Sequence, residues 1–516
     1  MQTSDSFSFI SGVRNLGQLL HQSAHTTPNA KALICGDRQM SFEELDRSTD
    51  ALARWFMVAG FQQGDRVAIH WSNSIEAVQL YFACFKAGMI AVPLNIRLKA
   101  PEIVYILGHS KAKICFSQPE LAYEELPDEC PDLLIYTSTL PDLTSKQYEH
   151  PSQPQVAADQ LAAILYTSGT TARPKGVLHT HASLLNATGM MCSLGIPSAS
   201  CVLTVSQLMH IGALACVLLP GLAVGSTVVL LSAFDAGEVL DLIERWRCSY
   251  LFLLPAMLQF VAEEQSQRPR ETSSLKMCLA GGDTVSVTLQ NRFHQLFGLP
   301  VYELYGMTES VPVTCNRKGL VRAGSVGRAL DVVKTRLVGP LSQEVHAGQV
   351  GELQVQSPAN CVGYWADPQA TAATLDGGWL RTGDLMKRDD DRFLWFAGRA
   401  KQIIIRDGSN ISPQEVEEVL YRHPATLEAG VVGLPDPVHG EKVVAFVTRR
   451  EGTKIEETEL LEWTRGQIAD YKVPEQILFL PALPKGLTGK VQRRDLKEIY
   501  ATVPEQGASA ALAMSI

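Results

Sequence analysis

An apolar run, Leu161-Ala-Ala-Ile-Leu165, empties into Tyr166-Thr-Ser-Gly-Thr-Thr-Ala-Arg-Pro-Lys-Gly176. The run has the length of a short buried strand, and the hydroxyls and glycines after it stop any regular element. Thr167, Ser168, Thr170 and Thr171, with Gly169 between them, put hydroxyls and backbone N–H groups where a polyphosphate can lie. Taken alone, such a stretch is a Ser/Thr/Gly surface turn. It is not a Walker loop either: Gly169 and Lys175 lack the G-x-x-x-x-G-K-[ST] spacing, and no Ser or Thr follows Lys175 to hold a metal. A metal accompanying the phosphates needs a ligand elsewhere.

The chain around this loop alternates helix and strand signals. Ser41-Phe-Glu-Glu44 is a capping box opening a helix stopped by Gly60; Arg66 to His70 reads as a strand, Ile75 to Lys86 as a helix, and Met89 to Val92 as a strand. Apolar runs at Thr227 to Leu231, Tyr250 to Leu254, Leu275 to Ala280 and Val301 to Leu304 continue the pattern. This predicts an α/β fold with mostly parallel sheets covered by helices. From about Ser325 short strands separated by glycines, Val333 to Val338 and Gly351 to Val355, predict a small β-barrel or twisted antiparallel sheet. After Gln402 strands near Ile403 and Val431 and helices over Pro413 to Tyr421 and Glu456 to Asp470 predict a separate α+β unit. The expected division is a large N-terminal domain, 1–401, and a smaller mobile C-terminal domain, 402–516, with a hinge between them.

At 516 residues the chain is too long for one core, which agrees with that division. A net charge of −9 without a basic, aromatic-laced stripe argues against nucleic acid as a partner. The 11 cysteines form no C-x-x-C pair, as expected of reduced thiols in a cytoplasmic protein. No signal segment and no run approaching 18 apolar residues is present, so no transmembrane segment is expected.

Further motifs follow in order. Ala280-Gly-Gly-Asp283 ends one strand, Tyr302-Glu-Leu-Tyr-Gly-Met-Thr-Glu309 ends the next, and Trp379-Leu-Arg-Thr-Gly-Asp384 and Gly398-Arg399 come later. Near the end stands Leu483-Pro-Lys-Gly-Leu-Thr-Gly-Lys490. The phosphate loop resembles T-S-G-T-T-G-x-P-K-G of the adenylate-forming superfamily, and the rest resemble its Y-G-x-T-E, R-T-G-D and P-K-T-x-x-G-K motifs across essentially the whole chain. The resemblance is to the acyl-CoA synthetase branch.

That resemblance implies ATP, Mg²⁺ and coenzyme A as cofactors, and an enzyme that joins a fatty or aromatic monocarboxylate to CoA through an acyl-AMP. It implies that Thr167, Ser168, Gly169, Thr170, Thr171 and Lys175 hold phosphates, and that Gly281, Gly282 and Asp283 lie against adenine and the acyl group. Glu303, Tyr305, Gly306, Met307 and Thr308 complete the nucleotide contacts, Glu309 binds the metal, and Asp384 and Arg399 meet the ribose. Gly408 lines the pantetheine channel, and Lys490 is the principal catalytic residue, with Thr308 and Glu309 beside it. His210, in Gln207-Leu-Met-His-Ile-Gly212, matches a gate between acyl and thiol sites; a histidine in an apolar stretch also reads as a satisfied core residue. The flanking Leu208, Met209, Ile211 and Leu214, with Val311 and Pro312, suggest an apolar pocket. Asp235 reads as a helix N-cap. Two departures stand out: Ala172 replaces a glycine, costing about 1 kcal/mol if that position needs φ > 0, and Gln402 occupies the pivot.

Three alternatives share these motifs. The acceptor can be the phosphopantetheine arm of a separate carrier protein, the chemistry can be that of a luciferase-like oxygenase, or the chain can be a degenerate adenylate-binding regulator. Intact Glu309, Asp384, Arg399 and Lys490 disfavour the regulator.

Overall fold

The apolar runs before residue 320 supply the strands of two sheets, with helices packed between and around them. The computed structural model describes residues 10–118, 121, 133–137, 140–141, 154–167, 174–399, 402–406, 409–436, 438–486 and 489–502. Ser168, Gly169, Thr170, Thr171, Ala172 and Gly408 lie outside the described residues.

Among the described residues, one sheet has seven strands. Arg66–His70, Ile90–Pro93, Ala112–Ser117, Leu134–Tyr136 and Leu161–Thr167 run parallel within it. Lys175–Thr180 folds back antiparallel on Leu161–Thr167, and Gly363–Tyr364 completes the edge. The other sheet has nine strands, in which Val301–Met307, Met277–Gly281, Tyr250–Leu253, Cys201–Thr204, Thr227–Leu230 and Lys31–Cys35 are parallel. Ser310–Cys315 returns antiparallel beside Val301–Met307.

Local chemistry sets these elements. Ser41 caps Phe42–Val58 through the predicted box: Glu44 N–H donates to Ser41 Oγ at 3.2 Å and Ser41 N–H to Glu44 Oε2 at 2.8 Å. The helix Ile75–Ala87 is buried nearly all round, as befits a helix inside the core, and Gly88 ends it at φ 72°. Its buried Lys86 is tolerated because the ammonium meets Asp46 and Asp50, each at 2.5 Å.

The later glycine-rich strands form an antiparallel sheet of Lys334–Val338, Val350–Gln356, Trp379–Arg388, Leu375–Asp376 and Leu394–Arg399. From Ile404 onward the chain builds a further sheet of Ile404–Arg406, Ser409–Ile411, Gly440–Arg449, Thr426–Asp436 and Gln476–Phe479. Strand alternation gives it two apolar faces: Val431, Val443 and Ala445 pack with Val416, Leu420 and Leu460, while Val432, Val444 and Phe446 pack with Leu496. The helix expected over Glu456 to Asp470 is shorter, Glu457–Arg465, with Gly466 as its C-cap. No helix among the described residues is long and apolar enough to cross a membrane.

Candidate active site

The carboxyl ends of two neighbouring parallel strands, Met277–Gly281 and Val301–Met307, form the floor of the site. Gly281 is required there: a Cβ would stand 2.4 Å from the carbonyl oxygen of Leu304. Gly282 adopts φ 90°, which a side chain would strain, and exposed Asp283 follows.

Glu303 turns its side chain to a covering helix. Its carboxyl is buried and turned onto the helix Val287–Phe297: Val285 N–H donates to Oε1 at 3.3 Å and Gln290 Nε2 to Oε2 at 2.9 Å. Burial, with Glu418 and Asp283 nearby, raises its pKa to about 8 against the two hydrogen bonds. The carboxyl is engaged with that helix and its cap region.

Tyr305, two residues on, faces Asp384. Its hydroxyl donates to Asp384 Oδ2 at 2.6 Å, and Arg399 Nε donates to Oδ1 at 3.0 Å. Asp384 and Arg399 face each other across an antiparallel pair, so the sheet itself sets their meeting. Asp384 is buried, yet each oxygen keeps a further acceptor position for a vicinal diol. Burial, then the Asp384 charge, keeps the Tyr305 phenol protonated.

Thr308 and Glu309 turn the chain into Ser310–Cys315, and Gly306 leaves room for Val311, whose Cγ2 would stand 2.7 Å from a Cβ there. His179 Nε2 donates to the carbonyl oxygen of Thr308 at 2.7 Å; burial lowers its pKa to about 4, so the ring is neutral. Buried Glu309 accepts a 2.7 Å hydrogen bond on Oε1 from Tyr364. The phosphate loop is the tip of a hairpin whose ends, Thr167 and Lys175, are paired residues. The helix Ala100–Ser110 touches the described residues on either side: His109 Nδ1 lies 2.8 Å from the Tyr166 hydroxyl, and Tyr105 donates to the Pro174 carbonyl at 3.3 Å. Lys175 Nζ lies 3.6 Å from Asp367 and 5.4 Å from the Tyr364 ring centroid.

The donor set fits magnesium. No group of three or more His, Cys, Asp or Glu suited to a metal occurs among the described residues, so an all-protein cage is not offered. A single hard carboxylate beside a phosphate loop is what Mg²⁺ uses when substrate phosphates and water supply its other ligands.

Lys490 enters from the C-terminal unit. A tight hairpin carries it: Gly486 N–H donates to the Lys490 carbonyl at 2.8 Å, and Lys485 bridges Val491. Three residues on, Arg493 clamps Glu417 with Nη2 contacts of 2.6 and 2.8 Å, and Glu417 accepts the Val431 N–H at 2.8 Å. Across the junction Glu418 Oε1 accepts from Val287 N–H at 3.4 Å. Desolvation pushes the Lys490 pKa down more strongly than Asp283 raises it, with Arg399 and Asp384 also acting on it. Lys490 and Arg97 in turn act on His210, which burial, first, and these cations lower to about 4. Asp283, Asp384, Arg399, His210 and Lys490 therefore converge from five separate stretches.

His210 begins a helical segment that passes through a π-turn at Leu214–Leu218. Leu208, Leu214 and Val311, read from sequence as pocket lining, are core residues, whereas Met209 and Ile211 stay half-buried. Asp235 is the N-cap it was expected to be, accepting Glu238 N–H at 2.8 Å. Sequence reasoning missed Tyr364, His179, Arg97 and the Glu417–Arg493 clamp, whose partners lie far off in the chain.

The AMP-binding enzyme family profile matches residues 20–365, and the AMP-binding enzyme C-terminal domain matches 415–490. A feruloyl-CoA synthase from an Amycolatopsis species is 36% identical over 491 residues, covering 94% of this chain and 99% of that protein. Indoleacetate–CoA ligase of Aromatoleum aromaticum is 33% identical over 501 residues, covering 94% and 98%. The crystal structure of ATP-bound MatB from Rhodopseudomonas palustris, 28% identical and covering 95% of this chain and 99% of that one, aligns with a TM-score of 0.88; apo MatB, with the same coverage, gives 0.79. With both domains matched and relatives spanning almost its full length, the chain belongs to the AMP-binding enzymes, in the acid–CoA ligase branch of the adenylate-forming superfamily.

Proposed function

We propose that the enzyme activates an apolar monocarboxylic acid, aromatic or fatty, as its acyl-AMP and then transfers the acyl group to CoA. The observation that carries this reading is the desolvated Lys490, set from the C-terminal unit among Asp283, Asp384, Arg399 and His210. A substrate carboxylate oxygen bonds to the α-phosphorus while the bond to pyrophosphate breaks. Lys490 stabilises the charge that builds on the phosphoryl oxygens. Asp384 accepts the ribose hydroxyls with Arg399 beside it, and Lys175 leaves Asp367 for the phosphates. Glu309 would hold the magnesium ion, which would supply neutralisation of phosphate charge. The CoA sulfur then attacks the acyl carbon and AMP departs; no side chain becomes acylated. Neutral His210 borders the acyl site as a gate, and the Gly408 loop admits the pantetheine arm. The pivot lies at Gln402, whose N–H donates to the Arg399 carbonyl at 2.8 Å and so ties the turn between the two units. Free cysteines at ten described positions, eight of them buried, support a cytoplasmic setting.

The aromatic option draws on the feruloyl and indoleacetate substrates named for the relatives, and on the Phe252 ring facing Gly212, 3.2 Å from where a Cβ would stand. A panel of cinnamic, benzoic, arylacetic, fatty and dicarboxylic acids, scored by acid-dependent pyrophosphate release with and without CoA, tests it. Dicarboxylates outperforming every apolar monocarboxylate would reject the substrate class, and pyrophosphate release without CoA-dependent AMP formation would reject CoA as acceptor.

A further inference from the structure

Glu309 is held by a residue outside every motif described above. The Tyr364 hydroxyl donates to Glu309 Oε1 at 2.7 Å, and the main chain around Tyr364 is tied down on both sides. Cys361 N–H donates to the Glu309 carbonyl at 2.7 Å, Val362 N–H to Leu178 O at 3.0 Å, and Trp365 N–H to Gly176 O at 2.8 Å. The Tyr364 N–H reaches Thr371 Oγ1 at 2.9 Å, and the Trp365 indole reaches the His109 carbonyl at 2.9 Å. Gly363, at φ 141° with Thr371 Cγ2 only 2.7 Å from a would-be Cβ, permits this close strap. The same segment supplies Asp367, the partner of Lys175, whose ammonium also faces the Tyr364 ring.

An unrestrained carboxylate rotates about its terminal torsion and offers either oxygen to a metal. A phenol fixed by its own backbone removes that freedom. A phenol facing a carboxylate oxygen at this distance is the donor of the pair. We propose that Tyr364 is the positioning residue of the metal site: it pins Oε1 of Glu309 and so presents Oε2 to the magnesium that accompanies ATP. This rests on Glu309 as the metal ligand.

Manganese serves as the probe. Mn²⁺ binding to the full-length enzyme with α,β-methylene-ATP is followed by electron paramagnetic resonance for wild type, Tyr364→Phe, Glu309→Gln and the double variant. Phenylalanine keeps the ring and its packing, so the thermal midpoint is expected to hold. Loss of an outer partner of a metal ligand weakens binding about 10-fold or more; Tyr364→Phe is expected to show this, with the Mg²⁺ requirement of pyrophosphate exchange rising in parallel and the rate returning at saturating Mg²⁺. In the Glu309→Gln background the second change should add nothing. An Mn²⁺ affinity within two-fold of wild type in Tyr364→Phe overturns the proposal, as does a full additional loss in the double variant. Glu309→Gln binding Mn²⁺ normally overturns instead the assignment of Glu309 itself.

Discussion

Replacing Lys490 by alanine removes one positive charge from a place where water screens it poorly. A unit charge acting over about 4 Å is worth about 1 kcal/mol in bulk water but about 4 kcal/mol at the effective dielectric of a protein site. Desolvation dominates the Lys490 environment, and Asp283, Arg399 and Asp384 all act on it. The second figure therefore applies, and at 1.36 kcal/mol per decade it corresponds to about a 10³-fold loss of adenylation rate. A solvated lysine would cost less than about 10-fold. The loss should fall mainly on one half-reaction, because attack of a thiol on a finished acyl adenylate forms no pentavalent phosphorus: charge builds on the acyl oxygen and passes to the oxygen of the departing AMP. Acid-dependent exchange of labelled pyrophosphate into ATP reads the first half-reaction, and thioester formation from supplied acyl-AMP and CoA reads the second. Exchange reduced by less than 10-fold, or both half-reactions falling together, would refute the reasoning.

Three other outcomes follow from the same geometry. Glu303 has a folded pKa of about 8 against an ordinary 4.5, so the folded chain holds an extra proton between those values. The resulting stability is fully present below about 4.5 and lost as pH rises to about 8, a total of up to about 5 kcal/mol; urea midpoints between pH 5.5 and 8.5 should fall for wild type and change less for Glu303→Gln, and parallel slopes would reject the assignment. Gly281→Ala drives a Cβ to 2.4 Å from a backbone oxygen, so it should cost about 1–3 kcal/mol in thermal or urea unfolding and depress pyrophosphate exchange; wild-type values for both would contradict the close strand approach. Because desolvation lowers the pKa of Lys490 and bound phosphates raise it again, the alkaline limb of kcat/KM for ATP should lie below that of kcat, and coincident limbs would remove Lys490 as their origin.

What could be read from sequence was mostly local. Ser41 and Glu44 sit within one turn, so their box is visible as a spacing, and a run such as Tyr250 to Leu253 names itself as a buried strand. Asp384 and Arg399 were recognisable as motif members, yet only the antiparallel register explains why they touch. A strand sequence does not reveal which helix will cover Glu303; here the cap region and first turns of Val287–Phe297 claim its carboxyl. Tyr364 and His179 were invisible for the opposite reason, since their partners Glu309 and Thr308 sit in the turn between Val301–Met307 and Ser310–Cys315, brought near only by the completed sheets. The helix predicted to reach Asp470 stops early, at Arg465 with Gly466 as its C-cap.

The pairing of Gly363–Tyr364 with Val177 and Leu178 has a consequence for biogenesis. During synthesis the strand Lys175–Thr180 emerges long before the segment that will cover its outer side, and until then it presents a bare row of amides and carbonyls to other nascent chains. Truncations ending shortly before residue 363 should therefore self-associate more strongly than those ending just after the strap, the edge of Val350–Gln356 being bare in both.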